Sequence, residues 1–354
     1  MSLVARGTAR SRVAVGLVGV LASLSAAACG GSSPAGSDNA DSDATKVGLS
    51  TIGPRNDRSF SQAHFEGVTR AEAELDGVSL AGVVENADTS QARIDAFKNL
   101  ALGNDLIVGG SAGFADAAPA VAPQYKGKHF IVSTGATKDK YDNVTSLVPD
   151  EGLAAVPAGA VMAKLSKSKV IGFIGGAEIP PTMQSLDGVK AGAASVDENV
   201  KVSSTIVGDF NDVAKAKSGA EALIAAGADQ IFAFLDAGIE GVYQAAEGTD
   251  VGVYQIISLR CDEAASVVGS AIEDAGLMIF DAIERFKKGE LEAGTTFYGL
   301  TSPQYLRFEL CPAYADRADI ADLVKKTTED VISGALKLPT AVTNARPGYA
   351  VTEK

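Results

Sequence analysis

Between residues 46 and 333, short apolar runs alternate with longer segments in which apolar positions recur every three or four residues. The stretch from residue 170 shows the unit clearly. Val170, Ile171, Phe173 and Ile174 form a nearly continuous apolar run, Gly175 and Gly176 end it, and a helical pattern opens after Pro180 and Pro181. Such a run marks the carboxyl end of a buried parallel strand, the edge at which open α/β sheets bind ligands.

The same unit repeats on both sides. Strands are predicted at 46–51, 78–84, 106–108 and 130–132, with helices at 59–75, 89–102 and 112–122 between them. A short strand at 144–148 and a helix at 151–164 lead into a second series. There, strands at 170–174, 200–207, 230–234 and 253–257 alternate with helices at 182–196, 213–226 and 239–247. Residues 264–287 read as one long helix, 295–300 and 305–310 as strands, and 320–333 as a closing helix. Two series of this kind predict an α/β protein of two Rossmann-like lobes with parallel sheets. A cleft between such lobes is the default small-ligand site.

With 354 residues the chain is long enough for two lobes, each with its own core. The net charge of −13 leaves no basic surface for phosphate backbones, so nucleic acid is not an expected partner.

The amino terminus reads as an address. Arg6, Arg10 and Arg12 precede a short apolar stretch at 13–24, and small residues at 25–28 precede Cys29. This is a signal peptide over 1–28, too short to remain as a spanning helix. Small residues followed at once by cysteine resemble a bacterial lipobox, which implies a lipid on the Cys29 thiol; ordinary secretion with Cys29 unmodified is the alternative. Residues 29–45, rich in Gly, Ser and Asp, read as a flexible tether. Beyond Cys29 the chain has Cys261 and Cys311, an even number that suits one disulfide in an oxidising compartment, or else two buried thiols.

Several segments resemble the basic membrane protein (BMP) family of extracytoplasmic solute-binding lipoproteins, which includes purine nucleoside receptors. Residues 169–180 resemble the family's "GK-V-GF-x-GG-x-[DE]-IP" segment. Asn56 to Phe60 with Gln62 resemble "D-D-x-S-F-N-Q", followed by Glu66 and Gly67. Residues 105–109 with Gly113 and Phe114 resemble "D-L-I-V-x-x-G-F", and 207–212 resemble "x-G-S-F-N-D". Residues 228–232 with Gly238 resemble "A-D-V-I-F…G", while 298–300 and 332–339 match closing motifs. Together they cover about 46 to 339 in the family's order.

The resemblance implies a type I periplasmic-binding-protein fold whose lobes are joined by a hinge. It divides the chain into a first lobe at 46–150 with a return segment near 262–290, a second lobe at 151–260 with a return segment near 291–340, and a tail at 341–354. It further implies a monomer on the outer membrane face that closes over a small polar solute, and the permease and ATPase subunits of an ABC importer as partners. No cofactor or metal is implied. Acidic residues that contact base and ribose in nucleoside-binding members fall on Thr51, Thr134 and Leu259, none of them acidic. Leucine cannot replace a carboxylate that accepts from two hydroxyls, whereas threonine keeps one polar contact.

The candidate ligand-binding residues are Thr51, Ser59, Phe60, Gly110, Phe114, Thr134, Phe232, Asp236 and Arg260. Phe60 stands where the family stacks an aromatic ring on its ligand, or is a core residue of its helix. Ser59 either lines the cleft or caps that helix beside Asp57, itself read as a cap. Gly110 and Phe114 border a strand end, where glycine permits close approach. Phe232 and Phe234 share a strand face, with Phe232 favoured as cleft wall. Asp236 suits hydroxyls or an amine, and Arg260 an anion or a neighbouring acid.

Two other functions are weighed. A sensor presenting its bound state to a membrane receptor would use the same cleft. Residues 109–113 match G-x-S-x-G, which would make Ser111 a hydrolase nucleophile. No histidine follows His129, so the late base of that fold is missing, and the chain is not expected to be an enzyme.

Overall fold

A computed structural model describes residues 44–339 and Val342. The signal peptide, Cys29, nearly all of the tether and the tail apart from Val342 lie outside the described residues.

The first lobe opens with β1 (Thr45–Thr51), α1 (Phe60–Glu74), β2 (Val78–Val84), α2 (Ser90–Ala101), β3 (Leu106–Gly110), α3 (Phe114–Val121), β4 (His129–Ser133) and β5 (Val144–Pro149). The chain then crosses to the second lobe. That lobe holds α4 (Glu151–Leu165), β6 (Val170–Gly175), α5 (Pro180–Val196), β7 (Lys201–Ile206), α6 (Val213–Ala225), β8 (Gln230–Phe234), α7 (Ile239–Ala246), β9 (Gly252–Ile256) and β10 (Val267–Glu273). A second crossing returns α8 (Ala275–Lys287) and β11 (Gly294–Tyr298) to the first lobe. A third delivers β12 (Leu306–Leu310), α9 (Pro312–Ala315) and α10 (Ala318–Ile332) to the second.

Each lobe has a six-stranded sheet, ordered β11-β5-β4-β3-β1-β2 in the first and β12-β10-β9-β8-β6-β7 in the second. All pairings are parallel except β10 with β12. Strands β3 (LIVGG) and β8 (QIFAF) are buried at every position because helices cover both faces of a parallel sheet.

Two expectations are corrected. Residues 264–287 are not one helix: 267–273 form the fully buried strand β10, between β9 and β12. The helix starts only at Ala275, where the Asp274 carboxylate accepts a hydrogen bond from the Leu277 amide at 2.8 Å. The return segments shift accordingly. Sheet pairing puts β10 in the second lobe and β11 in the first, whereas the sequence placed the lobe change near 290.

Helix α4 is buried on nearly all sides, so its sequence is apolar all round rather than amphipathic. It packs against α5 at very close range. A Cβ on Gly192 would fall 1.9 Å from the Val156 carbonyl, and one on Gly159 would fall 2.2 Å from the Val189 carbonyl. Only glycine permits that approach.

Candidate functional site

The loop between β1 and α1 in one lobe meets the segments that follow β8 and β9 in the other. That loop is built by Asp57. Its buried carboxylate accepts from the amides of Ser59 (2.8 Å), Ser61 (2.9 Å) and Gln62 (3.0 Å), which fixes the amino end of α1. The helix cap is therefore the Asp57 carboxylate, and the Ser59 hydroxyl makes no cap bond. Ser59 is instead buried beside Asp236 of the other lobe. Phe60, half-buried at the start of α1, packs against the second lobe's core.

Asp236 follows β8. Its amide donates to the Phe210 carbonyl at 3.0 Å, and its side chain is buried. Burial pushes its carboxyl up to about 7, and the Asp57 charge pushes the same way. The Ser59 hydroxyl, the Arg260 guanidinium and the Phe60 amide pull it back. Arg260 follows β9 and reaches across the lobes, its Nη1 donating to the Arg58 carbonyl at 3.0 Å. Ser59, Phe60, Asp236 and Arg260, far apart in sequence, thus meet at one interlobe junction.

Thr51, Gly110 and Thr134 end adjacent strands of the first lobe. The Thr51 hydroxyl donates to the Gly53 carbonyl at 2.8 Å, so its proton serves its own turn. Thr134 has a left-handed φ of +61°, and its amide donates to the Leu147 carbonyl at 2.7 Å. A Cβ on Gly110 would lie 3.0 Å from the His64 ring, so the glycine makes room for that histidine.

Phe114, expected to border the ligand at a strand end, and Phe232, favoured as a cleft wall, both lie in the core. Phe114 is fully buried in the first lobe, with its ring centroid 4.8 Å from that of Phe97. Phe232 stacks on Phe173 at 5.7 Å, and Phe234 on the same strand face is buried as well. Cys261 and Cys311 are joined by a disulfide with a Cα–Cα distance of 5.6 Å.

Several residues of the junction carried no sequence expectation. Phe210, inside the 207–212 motif, is half-buried and meets Phe234 edge-on at 6.4 Å. His64 is buried, with Nδ1 2.5 Å from the Phe60 carbonyl, and burial lowers its pKa, keeping it neutral. Glu151 and Glu273 are buried where the chain crosses between lobes. Their signal in the sequence is an acidic residue next to a strand end, shared by many surface acids.

At the carboxyl ends of the first-lobe strands the hydroxyls of Ser50 and Ser133 and, on α1, His64 Nε2 are buried and make no hydrogen bond. Buried polar atoms are almost always satisfied, so such a concentration fits a site that completes its bonds with a polar ligand.

The hydrolase arrangement does not form. Ser111 Oγ accepts from the Gly113 amide at 3.0 Å, His64 Nδ1 is engaged by the Phe60 carbonyl, and His129 Nε2 lies 2.8 Å from Thr145 Oγ1. Among the described residues no helix is long and apolar enough to cross a membrane.

Similarity to known proteins points the same way. The chain is 27% identical over 304 residues to the ABC transporter nucleoside-binding protein BmpA of Lactococcus lactis, covering 80% of this chain and 86% of that one. It is 30% identical over 191 residues to a purine-binding protein of Brucella abortus, about half of each chain. Among solved structures, a solute-binding protein of an ABC transporter system from Aeropyrum pernix superimposes with a TM-score of 0.74 at 20% identity. That match covers 82% of this chain and 92% of that one, and shows the shared fold. Residues 44–333 match the family described as ABC transporter substrate-binding protein PnrA-like. The chain belongs to that family of substrate-binding proteins, a membership that implies a small-molecule ligand and transporter subunits as partners.

Proposed function

We propose that this protein captures a nucleoside- or purine-like solute between its lobes and delivers it to an ABC importer, held at the outer membrane face by a lipid on Cys29. The observation that carries the reading is the set of buried polar atoms without hydrogen bonds at the first-lobe strand ends, beside an interlobe junction to which each lobe brings one half-buried phenylalanine. Phe60 and Phe210 offer ring faces to a flat heterocycle. Asp236 and Ser59 offer an acceptor and a hydroxyl to ligand donors, and Arg260 adds donors. Thr134 and Gly110 complete the first-lobe edge. Ligand bridging both lobes would favour the closed state through contacts absent from the open one. The named relatives support the ligand class, binding a nucleoside and a purine respectively.

Native mass spectrometry of the purified protein, followed by thermal-shift titration with inosine, guanosine, adenosine, free purines, sugars and amino acids, tests the proposal. Stabilisation by a nucleoside or purine is expected. Stabilisation by a sugar or amino acid alone would overturn the ligand class while leaving the binding fold in place.

A further inference from the structure

Next to the ligand-reading residues, and sharing Arg260 with them, a second set of charges joins the lobes. Arg58, on the first-lobe loop, forms an ion pair with Glu263 of the second lobe. The other Glu263 oxygen lies 3.7 Å from Arg260 Nε, and Arg260 Nη1 donates to the Arg58 carbonyl. One carboxylate thus sits between two guanidinium groups that belong to opposite lobes.

Both loops that carry this contact are strained and braced. Arg58 has φ +61° and Ile257, at the start of the second-lobe loop, has φ +72°. The left-handed region is uncommon for arginine and an outlier for a β-branched residue, and such strain persists only where surrounding structure enforces it. On the first lobe the Arg58 amide donates to Gln62 Oε1 at 3.1 Å, and Asp57 locks the residues that follow. On the second, the Ile257 amide donates to the Ala271 carbonyl at 3.0 Å, and the Cys261–Cys311 disulfide ties the segment between Arg260 and Glu263 to the start of α9.

We propose that Arg58, Glu263 and Arg260 form an interlobe latch that favours closure before any ligand binds, and that the disulfide holds its second-lobe half in register. Glu263 is the residue on which it turns. Without that charge, Arg58 and Arg260 face each other as like charges across the cleft, so closure is opposed rather than merely unassisted. Arg58 is about half exposed and Glu263 largely buried, with side-chain exposures of 56% and 17%. A pair of that kind shifts the closed-to-open ratio by about two- to fivefold. The latch depends on the cleft being the ligand site only for its effect on affinity; closure itself is read without ligand.

The test is small-angle X-ray scattering of the ligand-free protein, wild type against Glu263→Gln and Arg58→Asn, at low and high sodium chloride. Asparagine tolerates the left-handed backbone of position 58. Wild type should be compact at low salt and expand as salt screens the latch. Both variants should be expanded at low salt, Glu263→Gln the more so; added salt should leave Arg58→Asn nearly unchanged and draw Glu263→Gln back toward it by screening the two arginines. Equal radii of gyration for all three proteins at both salts would overturn the latch. That result would leave ligand binding untouched, and a failure of every nucleoside to bind would leave the scattering result standing.

Discussion

The carboxyl groups of Glu151 and Glu273 lie against each other where two of the three crossing segments leave their strands. Glu151 opens α4 directly after the first crossing, and Glu273 ends β10 directly before the second. Both are buried, and they border a void of about 10 Å³, room for about one water. Burial raises Glu151 well above the usual carboxylate range, reinforced by Glu273, Asp150 and Asp236. Burial also takes Glu273 to about 8, with Asp274 pushing it up and the hydrogen bond with Glu151 holding it down. The pair therefore holds at least one proton at neutral pH.

A pH dependence follows. Both native pKa values exceed those of the unfolded chain, so the native state binds more protons above the unfolded values. Stability from the pair is complete at pH below about 4.5, the ordinary glutamate value, and is lost as pH rises through about 8. Thermal melts from pH 5 to 9 should show Tm falling steadily from the acid end of that range to about pH 8. Glu273→Gln should flatten the profile and raise Tm at pH 8.5 by about 3 °C or more. An unchanged slope in the variant would exclude this pair as the cause.

Asp236 should set ligand affinity. Its carboxyl is buried against Ser59 and Phe60, so its removal takes away the second lobe's acceptor at the junction. Asp236→Ala should weaken the best nucleoside ligand at least about tenfold by calorimetry, a loss of about 1.4 kcal/mol. Asp236→Asn, which keeps one acceptor oxygen, should lose less. Equal affinity in wild type and Asp236→Ala would remove this residue from the site.

The disulfide should contribute strongly to stability. It closes a sequence separation of 50 residues, for which chain entropy gives about 4 kcal/mol. A Cys261→Ser, Cys311→Ser double variant should unfold at lower denaturant by about 2–4 kcal/mol. A midpoint unchanged from wild type would contradict this.

The contact between α4 and α5 should tolerate no side chain. Gly192→Ala would drive a methyl into the Val156 carbonyl, and the helices would have to separate through a buried core. A loss of about 2–4 kcal/mol in chemical denaturation is expected. Gly248→Ala, where a Cβ meets nothing within 4 Å, serves as control for strain alone, since its φ is +71°.

Local patterning made most of the fold legible. The nearly continuous apolar runs of β3, β6 and β8 read as strands covered on both faces. The failure at β10 is instructive: Val267 to Ile272 is as apolar as the helix after it, and no glycine or proline separates them. Only Asp274 marks the boundary, through a cap bond that the hydrophobic pattern does not encode. That Ser59, Phe60, Asp236 and Arg260 meet at one junction was legible because each lies just beyond a strand end or at a helix start. Phe114 opens α3 whereas Phe232 lies within β8, but an aromatic ring suits a core and a cleft wall equally, and only packing against Phe97 and Phe173 separates the two. Glu263 and Arg58 were beyond reach, since an ion pair 205 residues apart leaves no periodic trace.

The threefold crossing of the chain also orders events during synthesis. The inner face of α1, with Val68 and Ala71, is covered by Met278 and Ile279 of α8, which follow the strands of the second lobe in sequence. A growing chain that has completed β10 therefore still carries a first lobe with an open apolar face and with neither α8 nor β11. Neither half can be finished before the other is nearly complete, and a premature stop anywhere before residue 275 leaves sticky surface rather than a free-standing domain.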